Sequence, residues 1–100
     1  MKNLNITLLF DYYGDYLGEK QRELFDLYYN QDFSLSEIAE NAGITRQGVR
    51  DFIKRTEQQL IELEEKLHIY QKSTELKQLA CDVKSGKTPV SDLFDYIDNF

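Results

Sequence analysis

The chain has no tryptophan and only one cysteine, one proline, one histidine and one methionine among its 100 residues. A single thiol, Cys81, closes no disulfide within the chain, and one Cys with one His (His68) is short of the ligand set of a zinc site. One proline and five glycines leave no Pro/Gly-rich linker. No apolar run approaches the ~20 residues that cross a bilayer, and the N-terminus lacks the basic, apolar and small-residue succession of a secretory signal. No G-x-G-x-x-G or complete G-x-x-x-x-G-K-S/T loop is present. Gly86-Lys87-Thr88 matches only the tail of a phosphate loop, without the earlier glycine or a strand leading in. Carboxylates are many but spread along helical stretches; Glu62, Glu64 and Glu65 suit weak pairing with Lys66 or cations a turn away, and nothing implies a cleft for acid–base work. The expectations are no metal, no cofactor, no enzyme activity, no membrane segment and a reduced, cytoplasmic compartment.

What the chain does have is charge, unevenly placed. The net charge is −6. Residues 1–44 carry three Lys/Arg against eight Asp/Glu, and residues 57–100 carry five against nine. Between them, residues 45–56 hold Arg46, Arg50, Lys54 and Arg55 against Asp51 alone, a local +3. One basic island in an acidic chain is either a binding face for phosphates or a chance cluster on a solvated surface.

The length suits one domain with a modest core, and the apolar spacing is helical throughout. Leu4, Leu8, Leu9, Tyr12, Tyr13 and Tyr16 predict a helix over 3–17, weakened at Gly14 and stopped at Gly18. A second helix is expected over Glu19–Tyr29 through Leu24, Phe25, Leu27 and Tyr28, followed by a loop at Asn30-Gln31-Asp32. Ser34 and Glu37 form an S-x-x-E capping box, with Phe33 placed to staple against Ile38. That third helix runs to about Ala42. Gly43 supplies a left-handed turn, Ile44 is expected to reach back into the core, and Thr45 caps the next helix. Beyond Lys72 two short helices are expected, over 73–84 and 90–98, around a turn at Ser85–Pro89. Tyr12, Tyr13, Tyr16, Tyr28 and Tyr29 crowd the first third; their helical spacing and acidic neighbours favour packing with hydroxyls at the rim over stacking on unpaired bases.

The capping box, the small Ala39, Gly43, Thr45 and the inward Val49, Phe52 and Ile53 together make a helix-turn-helix pattern. An ordinary αα-hairpin is the plainer alternative. In the helix-turn-helix, the helix after Thr45 enters a nucleic-acid groove. Arg46, Gln47 and Arg50, near its N-terminal end, suit base edges. Lys54 and Arg55 suit phosphates, to which Ser36 and Thr45 could add hydroxyl and helix-end N–H contacts. Gly48, costly inside a helix, fits a close approach to a neighbouring helix or ligand backbone.

That helix continues without a break to about Tyr70. Val49, Ile53, Thr56, Leu60, Leu63, Leu67 and Tyr70 are spaced alternately by four and three residues, a heptad seam. The first half closes the core. The second half, Leu60, Leu63, Leu67 and Tyr70, needs a partner: the same helix of a second chain in a homodimer, or the chain's own first helix or C-terminal segment. The expected organisation is therefore all-α, with a helix-turn-helix domain over 1–71 and a helical extension over 72–100.

Leu9-Phe10-Asp11-Tyr12-Tyr13, Glu19-Lys20-Gln21, Tyr28-Tyr29, Ser34–Ala39, Thr45–Val49, Ile53–Glu57 and Leu63–Leu67 together resemble the YlxM family of small bacterial helix-turn-helix proteins, over about Leu8 to Gln71. The helix-turn-helix part is also similar, more loosely, to the promoter-recognising region 4 of sigma factors. The resemblance implies an all-α cytoplasmic protein associated with the signal recognition particle, and no enzyme activity. The expectation is a regulator, of transcription or of the particle, that binds DNA or the particle's RNA. The rival is an adaptor that keeps the shape but docks on the particle's GTPase or on RNA polymerase.

Overall fold

The computed structural model describes residues 4–100; Asn3, the expected first residue of helix 1, and the side chain of Leu4 lie outside the described residues. Six helices follow one another: α1 (Leu4–Tyr13), α2 (Glu19–Tyr29), α3 (Leu35–Ala42), α4 (Arg46–Leu67), α5 (Ile69–Lys84) and α6 (Val90–Asp98), with a 3-10 turn at Gly14–Tyr16. No strand occurs among the described residues, and the fold is all-α. The chain divides into two compact units, residues 1–66 and 67–100.

The first unit closes on one apolar core. Ile6, Leu9, Phe10 and Tyr13 of α1, Leu24 and Phe25 of α2, Ile38 and Ala39 of α3, and Val49, Ile53 and Leu60 of α4 are all buried. The Phe25 ring lies between Phe10, 4.8 Å away by ring centroid, and Tyr29, 4.4 Å away and stacked. The α1 stripe differs from the expected one. Ile6 and Phe10 face inward while Leu8 keeps exposed surface and Tyr16 is mostly exposed. Two stripes of helical period coexist in this segment, and contact with Phe25 selects the one containing Phe10.

Polar side chains tie α1 and α2 to α4. The buried Tyr13 donates its hydroxyl to Glu64, and Tyr29 donates to Glu57. Gln21 accepts from the Gly18 N–H at 3.2 Å, while its amide nitrogen donates to Gln59 at 2.9 Å and Thr56 at 3.4 Å. Thr56, fully buried, donates to the Phe52 carbonyl at 3.0 Å. Its hydroxyl is thus satisfied inside the seam, and among the described residues no buried side-chain N or O lacks a partner.

Helix α3 begins as its capping chemistry dictates. Glu37 N–H donates to Ser34 Oγ at 3.1 Å, and Ser34 N–H donates to Glu37 Oε1 at 3.0 Å. Two otherwise orphaned N–H groups are satisfied reciprocally. Replacing Ser34 by alanine is expected to cost ~1 kcal/mol, read as a lower urea midpoint at unchanged slope.

Three local expectations are corrected. Gly18 does not stop α1: its backbone is extended (φ −60°) and it is the N-cap of α2. Ile44 is 46% exposed and does not enter the core. Helix α4 ends at Leu67, short of Tyr70, because His68 adopts a left-handed backbone (φ 56°) before α5 begins at Ile69. Histidine is among the few non-glycine residues enriched in that region.

In the second unit, α5 and α6 are joined by a turn with Gly86 at φ 82°. The Tyr96 hydroxyl donates to Glu75 at 2.8 Å, which with Gln71 holds that carboxyl below the usual carboxylate range. Lys72 lies over the Phe100 ring, 5.0 Å from its centroid. None of the residues 67–100 is buried.

Candidate nucleic-acid interface

The turn between α3 and α4 has the geometry its residues require. Gly43 closes α3 in the left-handed region (φ 71°), where a side chain would be strained. Its N–H and that of Ile44 both donate to the Ala39 carbonyl. Thr45 Oγ1 accepts from the Gly48 N–H at 2.9 Å and so caps α4. Gly48 has a reason other than the expected approach of a neighbouring helix or a ligand. A Cβ there would stand 3.1 Å from Thr45 Oγ1, inside the cap itself.

From that cap α4 runs with Val49, Ile53, Thr56 and Leu60 buried and Phe52 half-buried. The packing leaves the other face outward: Arg46, Gln47, Arg50, Lys54 and Arg55 are all exposed. Arg22 pairs with Asp15 at 3.3 Å, and neither residue belongs to this face. Arg46, Arg50 and Lys54 stand at successive turns of one face with no hydrogen bond or ion pair to the described residues. Arg55 lies 5.8 Å from the Phe52 ring centroid and leaves its N–H groups open to a ligand. Gln47 is partly engaged, donating to Asp51 at 3.0 Å. Ser36, in the first turn of α3, is exposed, as is Thr45. Thr45 uses its oxygen as the cap and keeps its hydroxyl proton for donation.

Three further residues join the cations, and two of them, Tyr28 and Leu35, linear spacing could not find. Tyr28 of α2, Leu35 of α3 and Glu57 of α4 line one cleft of about 330 Å³ with Arg46, Arg50, Ile53 and Lys54. The cations therefore border a concavity whose opposite wall comes from two other helices.

The expected partner seam is only partly available. Leu60 is fully buried within its own unit, so it is corrected from an interface residue to a core residue. The Tyr13–Glu64 hydrogen bond brings α1 to the same stretch of α4. Leu63 is half-buried and Leu67 is 44% exposed, while Tyr70, half-buried, belongs to α5.

Comparison with known proteins agrees with this architecture. The sequence model of the family described as "UPF0122: Putative helix-turn-helix protein, YlxM / p13 like" matches residues 1–99. A UPF0122 protein of Thermoanaerobacter sp. (strain X514) is 46% identical over 83 residues, covering 83% of this chain and 71% of the relative. One from Halalkalibacterium halodurans is 50% identical over 80 residues, covering 77% of this chain and 73% of the relative. One from Caldanaerobacter subterraneus is 51% identical over 73 residues, covering 73% of this chain and 62% of the relative. Among the described residues no helix is long and apolar enough to cross a membrane. With its capped turn, buried inner face and matching family, the chain belongs to the UPF0122 family of YlxM/p13-like helix-turn-helix proteins.

Proposed function

We propose that the chain is a regulator that binds nucleic acid through the outer face of α4, with no catalysis of its own. Arg46, Gln47 and Arg50 meet base edges or phosphates near the helix N-terminus. Lys54 and Arg55 hold phosphates, and Ser36 and Thr45 add hydroxyl contacts. The supporting observation is that Arg46, Arg50 and Lys54 are exposed and unpaired on a helix whose other face is fixed by the core. An acidic protein gains little by leaving three aligned cations unneutralised unless a polyanion completes them.

Association with the signal recognition particle, and with its GTPase, rests on the family resemblance; the particle's RNA and duplex DNA are the two polymers to compare. Four cations give a limited electrostatic drive, and the acidic remainder opposes loose binding. Two copies on one site would supply avidity, using the half-buried Leu63 and the exposed Leu67 of α4.

The experiment is a titration of labelled duplex DNA and of the particle's RNA at several salt concentrations. About four phosphate contacts predict a log–log slope near −3.6 on a duplex, so affinity falls about a hundredfold between ~50 and ~200 mM salt. The absence of saturable binding to either polymer at the lower salt, or binding indifferent to salt, would refute the proposal and leave the adaptor reading.

A further inference from the structure

Helix α6 carries an apolar stripe that its own unit leaves open. Val90, Phe94 and Ile97 recur at four- and three-residue spacing and so share one face. They are 52%, 59% and 49% exposed. Tyr96 makes the contacts with α5, through Lys72 and Glu75, and Leu93 is half-buried. A two-helix unit in which no residue is buried lacks the core that usually holds so short a piece of chain. A contiguous exposed stripe on such a piece marks an interaction surface.

The charges around the stripe select the occupant. Helix α6 holds Asp92, Asp95 and Asp98 and no cation. Asp98 follows Phe94 by four residues and borders the stripe. A second α6 would set like charges against each other, and an anionic lipid surface or a nucleic acid would be repelled for the same reason. We infer that the Val90–Phe94–Ile97 face of α6 docks a cationic amphipathic helix of another protein, one with an apolar stripe flanked by lysine or arginine. The apolar stripes meet, and Asp98 with Asp95 on the same flank pairs with the flanking cations, while Asp92 lies on the opposite side of the helix. This surface is distinct from the cations of α4 and goes beyond the nucleic-acid reading.

The test uses the full chain and two labelled synthetic helices of equal length, one of leucine and lysine, the other of leucine and glutamate. The leucine–lysine helix is expected to bind at least tenfold more tightly, with slowed hydrogen exchange confined to α5 and α6. The double variant Phe94→Ser/Ile97→Ser leaves the charge unchanged and is expected to lose tenfold or more in affinity, since two apolar side chains no longer bury. Should that variant lose the α6 helix by circular dichroism, Asp95→Lys/Asp98→Lys keeps the stripe and is expected to reverse the preference between the two peptides. Equal binding of both peptides, or an unaffected Phe94→Ser/Ile97→Ser variant that keeps its helix, overturns the inference. So does a lysine-swapped variant with unchanged preference. A wild-type dimer in sedimentation that the serine variant abolishes also overturns it, because a second copy then covers the face.

Discussion

Replacing Phe25 by alanine is expected to destabilise the first unit by ~3–5 kcal/mol. The ring is fully buried and touches a ring from α1 on one side and one from its own helix on the other. Its removal therefore opens a cavity that α1 and α2 cannot both close. A unit of this size has roughly 3–10 kcal/mol of stability, so the variant loses about a third of it or more and the midpoint of thermal unfolding drops by more than about 12 °C. Urea unfolding followed by far-ultraviolet circular dichroism measures the effect. Phe94→Ala is the control: that ring is 59% exposed, and the first unit should change by less than about 0.5 kcal/mol. Equal effects of the two substitutions would mean that the core does not run through Phe25.

The second large effect concerns binding. In the Arg46→Ala/Arg50→Ala variant, affinity for the preferred nucleic acid is expected to fall by about 30-fold or more, or ~2 kcal/mol. Two of about four contacts are gone, so the salt slope on a duplex also flattens, from near −3.6 to near −1.8. The two readouts separate the causes. A loss of affinity at unchanged slope would mean that the arginines make no phosphate contact and act at base edges or through the fold, which circular dichroism of the free variant separates. Folding is not expected to suffer, because both side chains are exposed and bond to nothing among the described residues. Lys54→Ala should weaken all sequences alike, whereas Arg46→Ala should also relax sequence preference if that guanidinium reaches a base.

What the linear sequence discloses about this protein is mostly its short-range chemistry. The Ser34–Glu37 box, the left-handed Gly43, the Thr45 cap and the bounds of α2 each depend on bonds spanning three to five residues. Such bonds can be read from residue types and spacing alone. The errors lie where a distant contact or a single torsion decides. Ile6 and Phe10 win over Leu8 because Phe25 waits on the other side. Gly18 takes an extended backbone and opens α2, where a left-handed one would have closed the helix before it. The heptad spacing runs unbroken through Leu67 and Tyr70, and nothing in that pattern reports the left-handed torsion at His68. The cations of the candidate site were legible for the same reason as the caps: they lie on one helix at regular spacing. Tyr28 and Leu35, which come to the cleft from α2 and α3, were not.

Helix α4 opens with Arg46 and has no acidic residue in its first turn, and Arg50 follows one turn later. Cations there stand at the positive end of the helix macrodipole and repel one another across each turn. The free protein thus holds this end of α4 against its own electrostatics, a cost of some tenths of a kcal/mol per charge. Dissolved ions shield that discord, while a bound polyanion would cancel it outright. Raising the ionic strength therefore pushes in opposite directions, firming the unliganded helix while loosening any complex it makes.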